Sequence, residues 1–155
     1  MSTHVLHARL RHIEPPIWRR LSVPSDFSLG ELHLVLQAAF AWDNKHLHEF
    51  KIGKVRYGMK GTDEGPEIID EHRFRLATVA AAGARFVYEY DFGDDWEHDV
   101  LVESVTTDQE PPRCLDGARA APPEDCGGPP GYLDLLEAQA RVRAGGLSGR
   151  VVLVP

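Results

Sequence analysis

Residues 85–105 read RFVYEYDFGDDWEHDVLVESV. In the first third of this stretch every second residue is aromatic, and valine or an acidic residue stands between the aromatics. A period of two is typical of a β-strand with one buried face. Gly93-Asp94-Asp95 then supplies turn residues, and a β-rich run follows at 98–105. The stretch predicts an antiparallel hairpin whose first strand buries four aromatic side chains: Phe86, Tyr88, Tyr90 and Phe92.

The strongest helix signal precedes this hairpin and predicts a helix from Leu29 to about Ala41. Ser28 and Glu31 have the spacing of a capping box, in which each side chain accepts a hydrogen bond from the other residue's backbone N–H. Apolar residues recur at helical spacing behind it, so we expect Leu32 and Leu36 to pack against a sheet. His33 falls at the edge of this apolar stripe.

Weaker patterns complete the expected fold. They predict strands at 5–13, 17–23, 46–52, 55–57 and 151–154, helices at 76–82 and 133–144, and loops at 58–70 and 108–130. Together these elements define an α+β fold: a largely antiparallel β-sheet with one principal helix packed on it plus a C-terminal helix. We expect a single domain over residues 1–155.

Composition narrows the classes of function. No apolar run approaches the roughly 20 residues of a membrane span, and two cysteines are too few for a disulfide framework, so we expect a cytoplasmic protein. The formal net charge of −7 argues against nucleic acid as a partner. A local basic patch stays open at the N-terminal arginines: Arg9, Arg11, Arg19 and Arg20.

Five separated motifs resemble those of the plasmid pRiA4b open-reading-frame-three-like family. They are PPIWRR at 15–20, Leu32-His33, Trp42 with HLHEF at 46–50, YEYDFGDDWEH at 88–98, and Cys114 through PPEDCGG at 122–128 to Gly131-Tyr132. The resemblance implies an accessory protein of plasmids and mobile elements, without an established activity. Some members carry a resolvase label, but this chain has neither a helix-turn-helix pattern nor a recombinase serine motif.

A metal site is one interpretation of the polar residues in these motifs. His46 and His48 are two residues apart on a predicted strand, so both imidazoles point to one side. Asp91 and His98 of the hairpin could complete the set, with Asp94 and Asp95 nearby, and transition metals accept this mixture of ligands. The alternative is that the histidines are hydrogen-bonded core residues and the aspartates only form the turn.

An aromatic, acidic cleft is a second interpretation. Aromatic walls with a few convergent polar groups are typical of small-ligand sites. The candidate residues are Trp18, His33, Trp42, His48, Tyr90, Asp91, Asp94, Trp96 and His98. The alternative is that these aromatics form the hydrophobic core. We expect His48, Asp91 and His98 to lie close together.

Cys114 and Cys126, backed by Glu124 and Asp125, are a further candidate pair, but the eleven residues between them match neither the close pairs of zinc sites nor a redox motif. We expect two reduced thiols that are not bonded to each other. Between them, the PPEDCGG loop contains no phosphate-binding glycine motif, and its prolines and glycines are better explained as positioning Tyr132 and the last helix.

Two hypotheses of function follow. The first is a module that binds an unknown protein or small-molecule ligand through the cleft. The second is a metal-dependent hydrolase or nuclease-like enzyme, in which His46, His48 and His98 hold a divalent metal and Asp91 or Glu97 acts as general base. The sequence identifies no side-chain nucleophile with an adjacent base.

Overall fold

The computed structural model describes residues 1–59 and 67–145. Its strands are β1 (Thr3–Leu10), β2 (Trp18–Pro24), β3 (His48–Ile52), β4 (Val55–Gly58), β5 (Ile69–Asp70), β6 (Arg85–Tyr90), β7 (Trp96–Thr106) and β8 (Arg113–Ala118). Its helices are α1 (Leu29–Ala39), α2 (Leu76–Val79) and α3 (Gly128–Ala144), with a 3₁₀ helix at Glu71–Arg73. None of the helices in these two ranges has the length and apolar character needed to cross a membrane.

The described strands form one sheet in the order β5-β4-β3-β6-β7-β1-β2-β8. Every neighbouring pair is antiparallel except β4 and β5, which are parallel. The hairpin strands β6 and β7 lie at the centre, and α1 contributes three fully buried leucines to the core. The predicted α+β class, with its largely antiparallel sheet and C-terminal helix, is confirmed.

The central hairpin forms as predicted, with Tyr88 opposite His98 and with both tyrosines of β6 buried. One aromatic differs from the prediction: Phe92 is 45% exposed. The strand ends at Tyr90, and Asp91 adopts a left-handed φ of 63°. Because this conformation breaks the alternation of faces, Phe92 leaves the side of the sheet that holds Tyr88 and Tyr90.

Helix α1 begins where the capping box predicts. The Glu31 backbone N–H donates to Ser28 Oγ over 3.1 Å, and the Ser28 N–H donates to the Glu31 carboxylate over 2.9 Å. Leu32 and Leu36 are fully buried. His33 also faces inward and is 5% exposed, so it belongs to the interior and not to the edge of the stripe.

Three of the four N-terminal arginines lie on the face of the sheet opposite α1; the exception is Arg19, which lies over the Phe40 ring on the α1 side. Arg11 pairs with Glu97 and Asp99, while Arg20 pairs with Glu103 and lies 3.8 Å from Asp116. Arg9 pairs with Glu14, and Arg19 donates to backbone carbonyls, including that of Ala39. Carboxylates therefore pair with Arg9, Arg11 and Arg20, while the hollow on this face is also lined by Lys51 and Arg85.

Several elements differ from the sequence predictions. β3 begins at His48, so His46 lies before the strand and the two histidines do not share a strand face. β5 lies within the predicted 58–70 loop, and α2 ends at Val79 and not at residue 82. β8 lies within the predicted 108–130 loop and pairs with β2; its residues are mostly exposed and do not alternate, so they carry no strand pattern. α3 begins at Gly128 and not at Leu133, because prolines 129 and 130 occupy the first turn, where a helix needs no backbone N–H from them. The predicted strand at 151–154 lies outside the described residues.

Candidate functional site

Four side chains converge beside the end of β6. Ligand atoms of His46, Asp91, Glu124 and Asp125 all lie within 4.8 Å of one another. We call these residues the His46 cluster. From His46 Nε2, the distances are 2.7 Å to Asp125 Oδ1, 3.5 Å to Asp91 Oδ2 and 3.8 Å to Glu124 Oε1. Residues from three separate parts of the chain therefore form one group.

Asp91 is held by the first residues of the hairpin turn. Its Oδ1 accepts hydrogen bonds from the backbone N–H groups of Gly93 and Asp94, over 3.1 and 3.2 Å. Its own N–H donates to the carbonyl of Leu47, which ties the turn to the loop that carries His46. With Oδ1 engaged in the turn, Oδ2 is the oxygen that faces His46.

Glu124 is held in place by hydrogen bonds from Tyr90 and Asp43. The Tyr90 hydroxyl donates to its carboxylate over 3.0 Å, and the Asp43 backbone N–H donates to it over 2.7 Å. Burial, together with the neighbouring Glu124, raises the pKa of Tyr90 to about 12. The Tyr90 hydroxyl therefore keeps its proton and remains a donor, while it accepts a hydrogen bond from the Lys45 N–H over 3.0 Å.

The loop carrying Glu124 and Asp125 is fastened to the hairpin turn next to the cluster. The Gly127 N–H donates to Asp94 Oδ2 over 3.1 Å. At Gly128 the two backbones are so close that a Cβ would lie 2.2 Å from the carbonyl oxygen of Asp94. Only glycine fits there, and its φ of 68° is also in the left-handed region.

The cluster places three carboxylates around one imidazole, a concentration of negative charge that attracts cations. Asp91 and Glu124 form its floor, with side chains that are 8% and 11% exposed. His46 is 32% exposed and Asp125 is 60% exposed, so the cluster is open to solvent on one side. Left-handed φ values of 63° at Asp91 and 57° at Asp125 accompany it; such strained backbone is concentrated at functional sites.

His98 does not join this group. It is fully buried, its Nε2 accepts a hydrogen bond from Trp42 Nε1 over 3.1 Å, and its Nδ1 donates to the Tyr88 carbonyl over 2.9 Å. Burial lowers the pKa of His98 to about 4, so the imidazole stays neutral. Because both ring nitrogens are engaged, the structure places His98 in the core and not among metal ligands.

His48 also lies apart from the cluster. Its Nε2 is 2.7 Å from the carboxylate of Glu71, and both side chains are almost completely buried. The ring stacks on His33 with a centroid distance of 3.4 Å. Across β6, His48 is opposite Tyr90 while His98 is opposite Tyr88, on different neighbouring strands. His48, Asp91 and His98 therefore do not form the one polar group that the sequence suggested.

Three of the four predicted cleft aromatics are buried beneath the cluster and do not line an open wall. Trp42 stacks on Trp96 at a centroid distance of 5.4 Å and packs against Tyr90, and all three are at most 6% exposed. Trp18 lies on the opposite face of the sheet, where it stacks on His7. The aromatic set thus supports the floor of the site from within the core.

The sequence interpretation missed two members of the cluster, Glu124 and Asp125. It considered these acids only as neighbours of the two cysteines and favoured a structural role for their loop, although two adjacent acids between a proline pair and a glycine pair were a signal. It also missed Glu71, the partner of His48. Cys114 and Cys126 are both free, as predicted, and neither belongs to the cluster.

Fold and site together define an α+β domain with an open, mostly antiparallel sheet and a histidine–carboxylate cluster beside its central hairpin. The chain belongs to the family of plasmid pRiA4b ORF-3-like proteins, whose model matches residues 2–144. The resemblance inferred from the five motifs is thereby confirmed.

Two relatives extend this finding. Over 139 residues the chain is 42% identical to the uncharacterized protein y4hQ of Sinorhizobium fredii (strain NBRC 101917 / NGR234), covering 87% of this chain and 72% of that protein. The crystal structure of MM3350, a protein of unknown function from Methanosarcina mazei Go1, is similar with a TM-score of 0.83 and 32% identity. That similarity covers 98% of this chain and 92% of MM3350.

Proposed function

We propose that this protein is a binding module that holds a divalent cation in the His46 cluster and contacts its ligand through that cation. The observation that carries the proposal is the convergence of four ligand atoms within 4.8 Å, from residues far apart in sequence. The turn that carries Asp91 is fixed by hydrogen bonds to Oδ1, which leave Oδ2 facing His46. Such support is what orients ligands around a metal.

The distances support a metal-sized centre. Metal–ligand bonds of about 2.0–2.2 Å put neighbouring ligand atoms about 3–3.5 Å apart. The three separations measured from His46 Nε2 run from 2.7 to 3.8 Å, so small side-chain adjustments give this spacing. The cation would replace the proton that Nε2 now shares with Asp125.

The donor set selects the class of cation. One imidazole nitrogen with three carboxylates suits Mn²⁺, Fe²⁺ or Zn²⁺, while a soft ion such as Cu⁺ prefers sulfur ligands. Neither cysteine is in the cluster. The exposed side of the site, formed by His46 and Asp125, leaves a direction from which a carboxylate or other anionic group of a ligand reaches the cation.

A metal-dependent hydrolase or nuclease-like enzyme is the second candidate, favoured by that same open side. It has less support, because Asp91 lies among the ligands and Glu97 pairs with Arg11 on the other face of the sheet. Neither is then free to act as general base. We therefore place binding before catalysis.

The partner that we propose is a protein segment or a small molecule, not nucleic acid. The net charge is −7, and Arg11 and Arg20 on the sheet face opposite α1 are paired with carboxylates. Neither feature attracts a phosphate backbone. Two free thiols fit a reducing compartment, so we propose that the module acts in the cytoplasm.

Calorimetric titration of chelator-treated protein with MnCl₂ and ZnCl₂ tests the proposal. We expect one cation per chain, and Asp91→Asn should weaken affinity by more than the about 10–100-fold that the loss of a supporting residue costs. Asparagine keeps an oxygen that accepts the turn hydrogen bonds, so the loop survives. The matched control is Asp134→Asn, on the exposed surface of α3. Absence of binding, or equal affinity in both variants, would refute the site.

A further inference from the structure

Four residues close a ring of hydrogen bonds beneath the loop that carries His46. Gln37 Nε2 donates to the Tyr88 hydroxyl over 2.9 Å, and that hydroxyl is 2.6 Å from His33 Nδ1. His33 Nε2 is 2.8 Å from Asn44 Oδ1, and the Asn44 backbone N–H donates to Gln37 Oε1 over 2.8 Å. We call this arrangement the Tyr88 ring; it joins α1 and β6 to the loop before β3.

The chemistry of the groups fixes the direction of every bond. Asn44 Oδ1 can only accept, so His33 Nε2 carries the hydrogen and Nδ1 has a free lone pair. Tyr88 then donates to Nδ1 and accepts from Gln37. Burial, with the nearby charge of His48, lowers the pKa of His33 to about 4, and burial raises the pKa of Tyr88 well above its usual value. Both groups therefore keep the protonation states that the ring needs.

The ring acts on backbone that is otherwise unfavourable. Asn44 has a φ of 55° and Ala41, at the start of the same loop, has a φ of 57°. Left-handed conformations disfavour side chains with a Cβ, although asparagine tolerates them better than alanine. The ring bonds Asn44 by both its side chain and its backbone, two residues before His46. It therefore holds the loop in a conformation that the local sequence alone would not keep.

We propose that the Tyr88 ring is the positioning device of the cation site, holding Asn44 in its left-handed conformation and so directing the His46 imidazole toward Asp91. This inference rests on the proposed function. Tyr88, His33 and Gln37 are positioning residues, since none of them belongs to the His46 cluster. Burying their polar atoms in the core costs free energy unless every one of them is hydrogen-bonded. In this protein those hydrogen bonds fix the neighbouring loop and with it the metal-binding side chain of His46.

Tyr88→Phe tests the device, because it removes one hydroxyl and keeps the aromatic ring in the core. The matched control is Tyr57→Phe, a buried tyrosine of β4 that makes none of the ring bonds. We expect Tyr88→Phe to weaken Mn²⁺ binding by about 10–100-fold, the range for supporting residues of metal sites. Exchange of the Asn44 amide hydrogen should accelerate by about tenfold, the scale of one hydrogen bond.

The two measurements separate the proposals. If wild-type protein binds no Mn²⁺ or Zn²⁺, the cation site fails, and the ring's role in it fails with it. If wild type binds but Tyr88→Phe matches Tyr57→Phe in affinity and in Asn44 exchange, the site stands and the positioning role alone is refuted. Exchange at Val102, a buried residue of β7 whose N–H donates to the Ala84 carbonyl, reports any general loosening, which would accelerate it together with Asn44.

Discussion

Replacing the buried His98 by glutamine should remove a large part of the protein's sensitivity to acid. In the folded chain burial lowers the pKa of this imidazole from 6.5 to about 4. As the pH falls below 6.5, the unfolded chain takes up a proton that the folded chain refuses. The free energy of unfolding therefore decreases toward lower pH, and the decrease ends near pH 4, where the folded protein is protonated as well.

The size of the effect follows from these two values. Between pH 7 and pH 5, His98 alone should remove about 2 kcal/mol from the free energy of unfolding. Glutamine does not titrate, so His98→Gln loses this contribution. At pH 7 the variant should be less stable than wild type by about 1–3 kcal/mol, because the Trp42 indole N–H and the Tyr88 carbonyl lose their well-placed partner.

Urea denaturation at pH 7, 6 and 5, followed by tryptophan fluorescence, measures the free energy of unfolding of both proteins. The stability difference between wild type and His98→Gln should shrink by about 2 kcal/mol from pH 7 to pH 5. The difference between the two proteins is used because Glu89 changes the stability of each in the opposite direction. Burial and the neighbouring Asp95 raise the pKa of Glu89 to about 7, which stabilises the folded state as the pH falls. Glu89 is present in both proteins and cancels.

The control for this experiment is His12→Gln, which makes the same substitution at an exposed residue. If wild type and His98→Gln lose the same amount of stability between pH 7 and pH 5, the proposed contribution of His98 is refuted. That result would mean that the His98 imidazole is protonated in the folded protein at the same pH as in the unfolded chain, against its complete burial.

Two further substitutions test the loop contact and the core. Gly128→Ala should lower Tm more than Gly83→Ala. Both glycines have a left-handed φ, which costs about 1–2 kcal/mol for alanine. Only at Gly128 does the added Cβ also meet a backbone atom, the Asp94 carbonyl oxygen at 2.2 Å. Equal shifts would contradict this close approach. Leu36→Ala removes a fully buried side chain of α1 and should cost about 2–5 kcal/mol in urea denaturation; a loss below about 1 kcal/mol would contradict its packing.

Elements with local signals were predictable from the sequence. The α1 capping box needs only residues three positions apart, and both of its hydrogen bonds form. The hairpin needs only alternation and turn residues, which are adjacent in the chain. Where the signal was not local, prediction failed: β8 is a strand because it pairs with β2, about ninety residues earlier, and its own residues have no alternating pattern.

The candidate site was predictable only in part. His46 and Asp91 were identified because histidine and aspartate in polar motifs suggest ligands, and the structure brings them together. Their companions Glu124 and Asp125 come from a loop that lies beyond β7 and β8 in the chain, and no spacing rule links them to the hairpin turn. His98 has the right chemistry for a ligand, but its burial against Trp42 uses both ring nitrogens.

The sequence by itself determined the elements whose signals are local, which are the capped helix, the central hairpin and the alternating strands, and it determined the acidic character of the whole chain. These follow from interactions between neighbouring residues, where periodicity and capping act. The tertiary structure alone decided which polar groups became partners. Ligand atoms must approach within a few ångströms, and only the pairing of distant strands and the fastening of loops bring Glu124 to His46, or enclose His48 with Glu71.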